Sequence, residues 1–578
     1  MPGAASRTRR WGRVLTLIPL AILVMSACSQ APTYSGVQPR TPLDKIASGG
    51  EMKNFQLVGS NALVDSKYNI PRGMNGGITA IRDCLYVGSN IALQPTLILD
   101  MKDMSKPTVV GEVPGIKGKG MGIEAIESVA DLNLLVNTAR SSFGLGDYKF
   151  PIDAADKNIG MVVYDATDCK KPTMVAKIDV FNEQTHYMVL WRDPNKPERV
   201  LASLSYSGAP DGVDIRVWDL TGCPKSCNPK MVAEWGLRAQ LGIPQTVVTK
   251  YEGGQRSDST TTHDHTYSID GKRIHLAQTK YGYLQIDSSA LAEGRTCNPK
   301  AATSASATGH CLTVFPNFKP LAAFGTEVAN VHGVVKIPGR PYVAMQHEGH
   351  ACPYGGITFA YVGETDTFST YDRQTGQLVA PAAGAGSVGA FRGDLFPRHV
   401  GTFSIPEQQA DRCPKQGDPI PPTSGAMGIY GTDAMRSSKT VHNALAFPNV
   451  LFATWYGGGL RAVDITNPYT PFELGYFFNK PAPEVRWCAE GAAGPCDKVE
   501  VDSEGTPVRQ KQLLPPDVFA RSYPIVMNGH IVYSDENMGV YVLKYTGPHK
   551  DQIPQKGICI SHIPNVVNVG FEPCAPYK

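Results

Sequence analysis

The sequence predicts an all-β fold, and three observations carry that prediction. A strand–turn–strand motif recurs along the chain, two further strands precede each copy, and turn-forming residues abound, with 58 glycines and 45 prolines in 578 residues. The hydrophobic fraction of 42% is enough to bury a core, which excludes bulk disorder. The formal net charge is +3 without any basic block, so nothing points to nucleic acid. The one long apolar run lies at the extreme N-terminus, which excludes a polytopic membrane protein.

The motif is an apolar run that ends in Asp, a short turn with Pro, and another strand. It reads LILDMKDMSKPTVVG at 97–111, MVVYDATDCKKPTMVAKI at 161–178, IRVWDLTGCPKSCNPKMVAEW at 215–235 and LRAVDITNPYTPFELGYF at 460–477. Weaker copies are GYLQIDSSAL at 282–291, the stretch around Tyr371-Asp372, and GVYVLKYTGP at 539–548, where Lys544 stands in place of Asp. Alternating β-branched and aromatic residues favour a strand, Asp caps the turn that follows, and Pro fixes φ within it. Two more strands precede each unit, as in HNALAFPN and VLFATWY at 442–456. Four strands per unit, repeated, is the pattern of a propeller. Seven units are expected, their third strands ending near Asp100, Asp165, Asp219, Asp287, Asp372, Asp464 and Lys544. The seventh has no fourth strand of its own, and FQLVGS at 55–60 has the right character to supply it. The expected fold is therefore a seven-bladed β-propeller closed by an N-terminal strand, with long loop insertions.

In chain order, residues 1–27 have the pattern of an export signal. Four arginines without an acid precede an apolar run from Val14 to Met25, too short to span a membrane, and then Met25-Ser26-Ala27-Cys28. Cys directly after Ser-Ala resembles a bacterial lipobox, which implies lipidation of Cys28 and a membrane partner through that anchor. Residues 28–54 read as a linker and 55–548 as the propeller, with insertions at about 293–320, 350–440 and 479–520. Residues 549–578 form a C-terminal tail. With Cys28 set aside, twelve cysteines remain, most of them as close neighbours: Cys223/Cys227, Cys297/Cys311, Cys352/Cys413, Cys488/Cys496 and Cys559/Cys574, leaving Cys84 with Cys169. Six disulfides in an oxidising compartment is the favoured reading. Thiolate metal sites are the rival, and only Cys223-Pro-Lys-Ser-Cys227 has suitable spacing for one. The expected location is periplasmic or at the cell surface.

The repeats resemble those of the LVIVD-repeat proteins, whose name is the consensus of the third strand. The resemblance covers most of residues 55–545. It implies a β-propeller, and it says little about function, since that family's roles are diverse or unassigned.

Aligning the first, channel-lining strand of each unit exposes a column of histidines. His186, His263 or His265, His332 and His442 open the strands of units three to six, while Gly76, Glu124 and Tyr523 stand at the corresponding places elsewhere. Loops on the same face add His347 and Glu348, Tyr456, and Asp535 and Glu536. Neutral imidazole is the commonest nitrogen ligand, so a metal ion shared by His186, His265, His332 and His442, with His263 and His347 as further candidates, is one reading. Glu124, Glu348, Asp535 and Glu536 are then the carboxylates that orient the ligands. The competing reading is a repeated histidine that only bonds a neighbouring loop. For the motif aspartates, turn capping is the expected role.

No nucleophile elbow, phosphate loop or nucleotide fingerprint is present, and no catalytic residue is assigned. Two functions stay open. One is a metal-dependent oxidoreductase of oxygenase or oxidase type acting on a small molecule in the cell envelope, with iron or copper favoured over zinc and no organic cofactor. The other is a non-enzymatic surface scaffold or ligand-binding lipoprotein.

Overall fold

Four-stranded antiparallel sheets succeed one another along the chain, each with its first strand innermost, as the repeat demands. In the computed structural model the described residues are 51–65, 70–89, 94–141, 152–181, 185–206, 211–244, 246–251, 254–268, 270–298, 310–314, 331–348, 355–362, 370–371, 378–379, 397–408, 440–479, 499–501, 507–510 and 519–559. The expected signal segment, Cys28, Asp372, Cys352, Cys413, Cys488, Cys496 and Cys574 lie outside them.

Seven blades are formed. Blade 1 comprises Asn75–Ile81, Cys84–Ser89, Thr96–Asp100 and Thr108–Val113, and blade 2 comprises Lys119–Val129, Leu134–Ser141, Ile159–Asp165 and Thr173–Asp179. Blade 3 is Thr185–Arg192, Val200–Tyr206, Ile215–Asp219 and Lys230–Trp235, and blade 4 is Asp264–Tyr267, Arg273–Gln278, Gly282–Asp287 and Thr313–Val314. Blade 5 is Val331–Lys336, Tyr342–His347, Ile357–Tyr361 and Arg398–Phe403, and blade 6 is Ala444–Ala446, Val450–Thr454, Leu460–Asp464 and Phe472–Phe477. Blade 7 combines Ile525–Met527, His530–Asp535 and Gly539–Tyr545 with the N-terminal strand Phe55–Asn61.

That N-terminal strand runs antiparallel to the last repeat, from Phe55 opposite Tyr545 to Asn61 opposite Val540, and so removes the open edge of the ring. Phe55 anchors it against Phe452 of blade 6 and Tyr545 of blade 7, with ring centroids 6.1 and 5.1 Å away. Met52–Lys53 adds a strand to the outer edge of blade 6, and Ile558–Cys559 pairs with the inner strand of blade 7. Apolar clusters lie between successive blades, with Trp191, Trp235 and Trp455 fully buried.

The motif aspartates do what turn chemistry requires. Asp100, Asp165, Asp219, Asp287 and Asp464 each accept the backbone N–H two residues on. One expectation is corrected. The third strand of blade 5 is Ile357–Tyr361, not a strand ending at Asp372; Tyr371 belongs to a separate small hairpin with Leu378–Val379. The run ITFAY has the strand alternation but ends in Tyr, so it lacks the Asp signal by which the other copies announce themselves. The interval 350–440 thus contains two blade strands as well as inserted chain.

Disulfides join Cys84 to Cys169, Cys223 to Cys227 and Cys297 to Cys311, and Cys559 is also disulfide-bonded. These three bridges sit at the turns between strands one and two or between strands three and four. Antiparallel pairing places all such turns at one end of the blades. The opposite end, where the inner strands begin, carries the histidines.

Candidate metal centre

Backbone irregularity aims the site. The inner strands of blades 1, 2, 3 and 5 each slip register once, between Asn75 and Ile78, between Met121 and Ile126, between Thr185 and Met188, and between Val331 and Gly333. A bulge re-aims the residue it contains. Glu124, His186 and His332 occupy three of these slips. Gly122 makes the second one with φ +75°, where a side chain is strained, and a Cβ there would also crowd Asn137 Oδ1 at 2.7 Å and the Gly88 Cα at 3.1 Å. In blades 4 and 6 the histidine comes just before the strand: His263 N–H donates to Ala277 O and His442 N–H to Thr454 O.

Four imidazoles meet there. Ring centroids are 3.9 Å apart for His186 and His263, 3.8 Å for His263 and His332, and 4.2 Å for His332 and His442. Glu124 closes the circuit, its two oxygens 3.8 Å from His186 Nε2 and 3.8 Å from His442 Nε2. Glu348 Oε2 lies 3.6 Å from His332 Nε2, and its other oxygen accepts the Tyr456 hydroxyl. Tyr456 stacks on Phe519 (4.0 Å) and leans over His442 (5.0 Å), walling one side of the mouth. One residue further along the inner strands, buried Tyr187 and Asp264 meet Tyr523, whose hydroxyl donates to Asp264.

The electrostatics favour neutral rings. Burial, reinforced by neighbouring imidazoles and by Arg140 and Arg521, holds His186, His263 and His442 well below the usual histidine range. Burial pushes the Glu124 carboxyl up, opposed by Arg521 and reinforced by Glu348. His442 Nδ1 donates to the Arg521 carbonyl (2.8 Å), which leaves the Nε2 lone pair turned inward. His263, His332 and Glu348 each offer a ligand atom within 4.8 Å of the others.

Not every expected residue joins them. His265 is placed away from the ring: its Nε2 lies 2.5 Å from Ser203 Oγ, between blades 3 and 4, and the neighbouring His263 takes its place. His347 Nε2 is 2.6 Å from Thr358 Oγ1, which ties two strands of blade 5, and burial lowers its pKa to about 3. Asp535 orients no imidazole. It accepts the backbone N–H groups of Phe519 (2.7 Å), Asn537 (2.9 Å) and Met538 (2.8 Å), and burial raises it to about 6. Glu536 acts on Arg521 instead, at 3.1 Å. Sequence reading missed both guanidiniums. Arg140 Nη1 lies 2.9 Å from His186 Nδ1, and Arg521 holds Glu124. Arg521 stands two residues before Tyr523, the residue that the alignment puts at the seventh column position, so no sequence signal marks it.

No family model matches the chain, and no curated protein matches it. The LVIVD resemblance therefore rests on the repeat motifs alone. Among solved structures, the chain is similar to Sqt1 of Chaetomium thermophilum bound to the N-terminus of ribosomal protein L10, with 12% identity, TM-score 0.38, and 82% of this chain and 96% of that one covered. It is also similar to Sqt1 of Saccharomyces cerevisiae, with 8% identity, TM-score 0.39 and coverage of 86% and 99%. The computationally designed Ika8 protein gives 8% identity, TM-score 0.35 and coverage of 84% and 99%.

Proposed function

We propose that this propeller is a metal-dependent oxidoreductase whose ion sits at the channel mouth. The observation that carries the reading is the meeting of His263, His332 and Glu348, two nitrogens and one carboxylate from blades 4 and 5. Bond lengths of about 2.0–2.2 Å bring donor atoms to roughly 3–4 Å from one another, so side-chain rotation closes the present spacing. Two histidines with one carboxylate and open positions is the donor set of non-haem iron(II) oxygenases, and the carboxylate favours iron over copper(I). His442, with its inward lone pair, supplies a fourth donor. When bound, iron(II) supplies the electrons that activate dioxygen. The chain's own residues do the rest. Tyr456 fixes one oxygen of Glu348 so that the other points at the ring, and Arg521 holds Glu124.

The same reading places the protein in the cell envelope, exported and anchored through Cys28, as an LVIVD-type propeller. The disulfides Cys84–Cys169, Cys223–Cys227 and Cys297–Cys311 support an oxidising compartment. The test is metal analysis of the full chain after anaerobic exposure to iron(II). About one equivalent is expected, lost in His263→Ala, His332→Ala and Glu348→Gln but retained in His265→Ala. A correctly folded chain that takes up no iron overturns the proposal and leaves the scaffold.

A further inference from the structure

The four imidazoles at the mouth occupy equivalent places, yet they do not present the same end. A guanidinium can only donate, so His186 Nδ1, 2.9 Å from Arg140 Nη1, must accept. A neutral His186 ring then carries its proton on Nε2, the atom that faces the centre. His442 is the mirror case, because its Nδ1 donates to a carbonyl and its inward Nε2 bears the lone pair. Both Nε2 atoms lie 3.8 Å from Glu124, so the two rings flank one carboxylate with opposite polarity.

We infer that His186 stays outside the ligand set and donates a hydrogen bond to a small anionic or oxygen-bearing ligand beside the ion, with Arg140 holding it in that tautomer. The inference rests on the metal reading above and assigns the shape of its open position. The present neighbour of the His186 N–H is His263 Nε2 at 2.6 Å. A nitrogen lone pair given to a metal can no longer accept that bond. Glu124, the next acceptor, is 3.8 Å from His186 Nε2, beyond hydrogen-bond distance. The donor is then left for whatever enters the mouth, and a group with an exposed lone pair and negative charge satisfies it best. The ligand class is thus small anions and partly reduced oxygen species, not cations or bare hydrocarbons.

The experiment uses the full chain loaded with cobalt(II), whose visible spectrum reports its ligands, and titrates it with azide. The His186→Leu protein is expected to hold cobalt at the wild-type stoichiometry and to bind azide about tenfold more weakly. His186→Asn, which keeps an N–H, recovers part of that affinity, and Arg140→Met falls between wild type and His186→Leu. If His186→Leu loses cobalt as His332→Ala does, His186 is a ligand and the inference is overturned. Unchanged azide affinity in cobalt-loaded His186→Leu overturns it as well, while leaving the metal reading in place. A wild-type chain that takes up no cobalt brings down both.

Discussion

Two buried arginines in this molecule each hold two glutamates, and their surroundings could hardly differ more. In blade 6, Arg461 meets Glu473 at 2.6 Å and Glu407 at 2.5 Å, under the rings of Phe478 and Tyr476 at 4.6 and 5.7 Å. At the channel mouth, Arg521 meets Glu536 at 3.1 Å and holds Glu124, whose remaining oxygen faces His442. Each group joins one positive charge to two carboxylates in a poorly hydrated place, which burial alone makes unfavourable. In blade 6 the surroundings are aromatic, and burial raises the Glu473 carboxyl despite Arg461. At the mouth the surplus faces one imidazole N–H, that of His186, and one imidazole lone pair, that of His442. The comparison separates a buried ion cluster packed under aromatic rings from an equally buried one that faces imidazoles.

The largest effect that sharpens this contrast comes from Arg461→Met. It strands two buried carboxylates, so urea unfolding is expected to show a loss on the order of 3–5 kcal/mol, with iron uptake per folded chain unchanged. Loss of iron in proportion would erase the distinction between the two clusters. Arg521→Met should cost about 2 kcal/mol in metal-free protein, and saturating iron(II) should restore much of it. An ion at a hundred times its dissociation constant contributes about 2.7 kcal/mol. Equal rescue of Arg461→Met, measured beside it, breaks the comparison. The smallest effect belongs to Glu473→Gln, under about 1 kcal/mol in acid, where the carboxyl is already protonated. A folded pKa above the unfolded one means that the native state binds the extra proton, so stability falls as pH rises from the ordinary carboxylate range through the raised value. Wild type should therefore lose ground to Glu473→Gln across that window, and parallel pH profiles would show the carboxyl to be unshifted.

Much of this architecture is legible in the sequence because a propeller repeats its backbone grammar locally. The Asp turns of blades 1 to 4 and 6 follow from residues a few positions apart, and the absent fourth strand of blade 7 and its N-terminal substitute follow from comparing the repeats. So does the histidine column, since a residue's place at the head of an inner strand is a local property. What the sequence conceals comes from distant pairings. Arg140 finds His186 across two blades, and Arg521 finds Glu124 397 positions away. His263 and His265 are both plausible from the string HDH, and only Ser203 on the adjacent blade decides which one is drawn aside. Blade 5 hides its third strand because Tyr361 stands where blades 1 to 4 and 6 have Asp.

The strand Phe55–Asn61 gives the mouth one more property. Blades 2 and 7, which share the Arg521–Glu124 contact, belong to a circle that this segment completes, so the proposed ion binding would be thermodynamically linked to ring closure. Loosening a strand on the rim lowers the population in which the donors stand together. Conversely, an ion seated among the histidines acts as a rivet on a seam far from it in space.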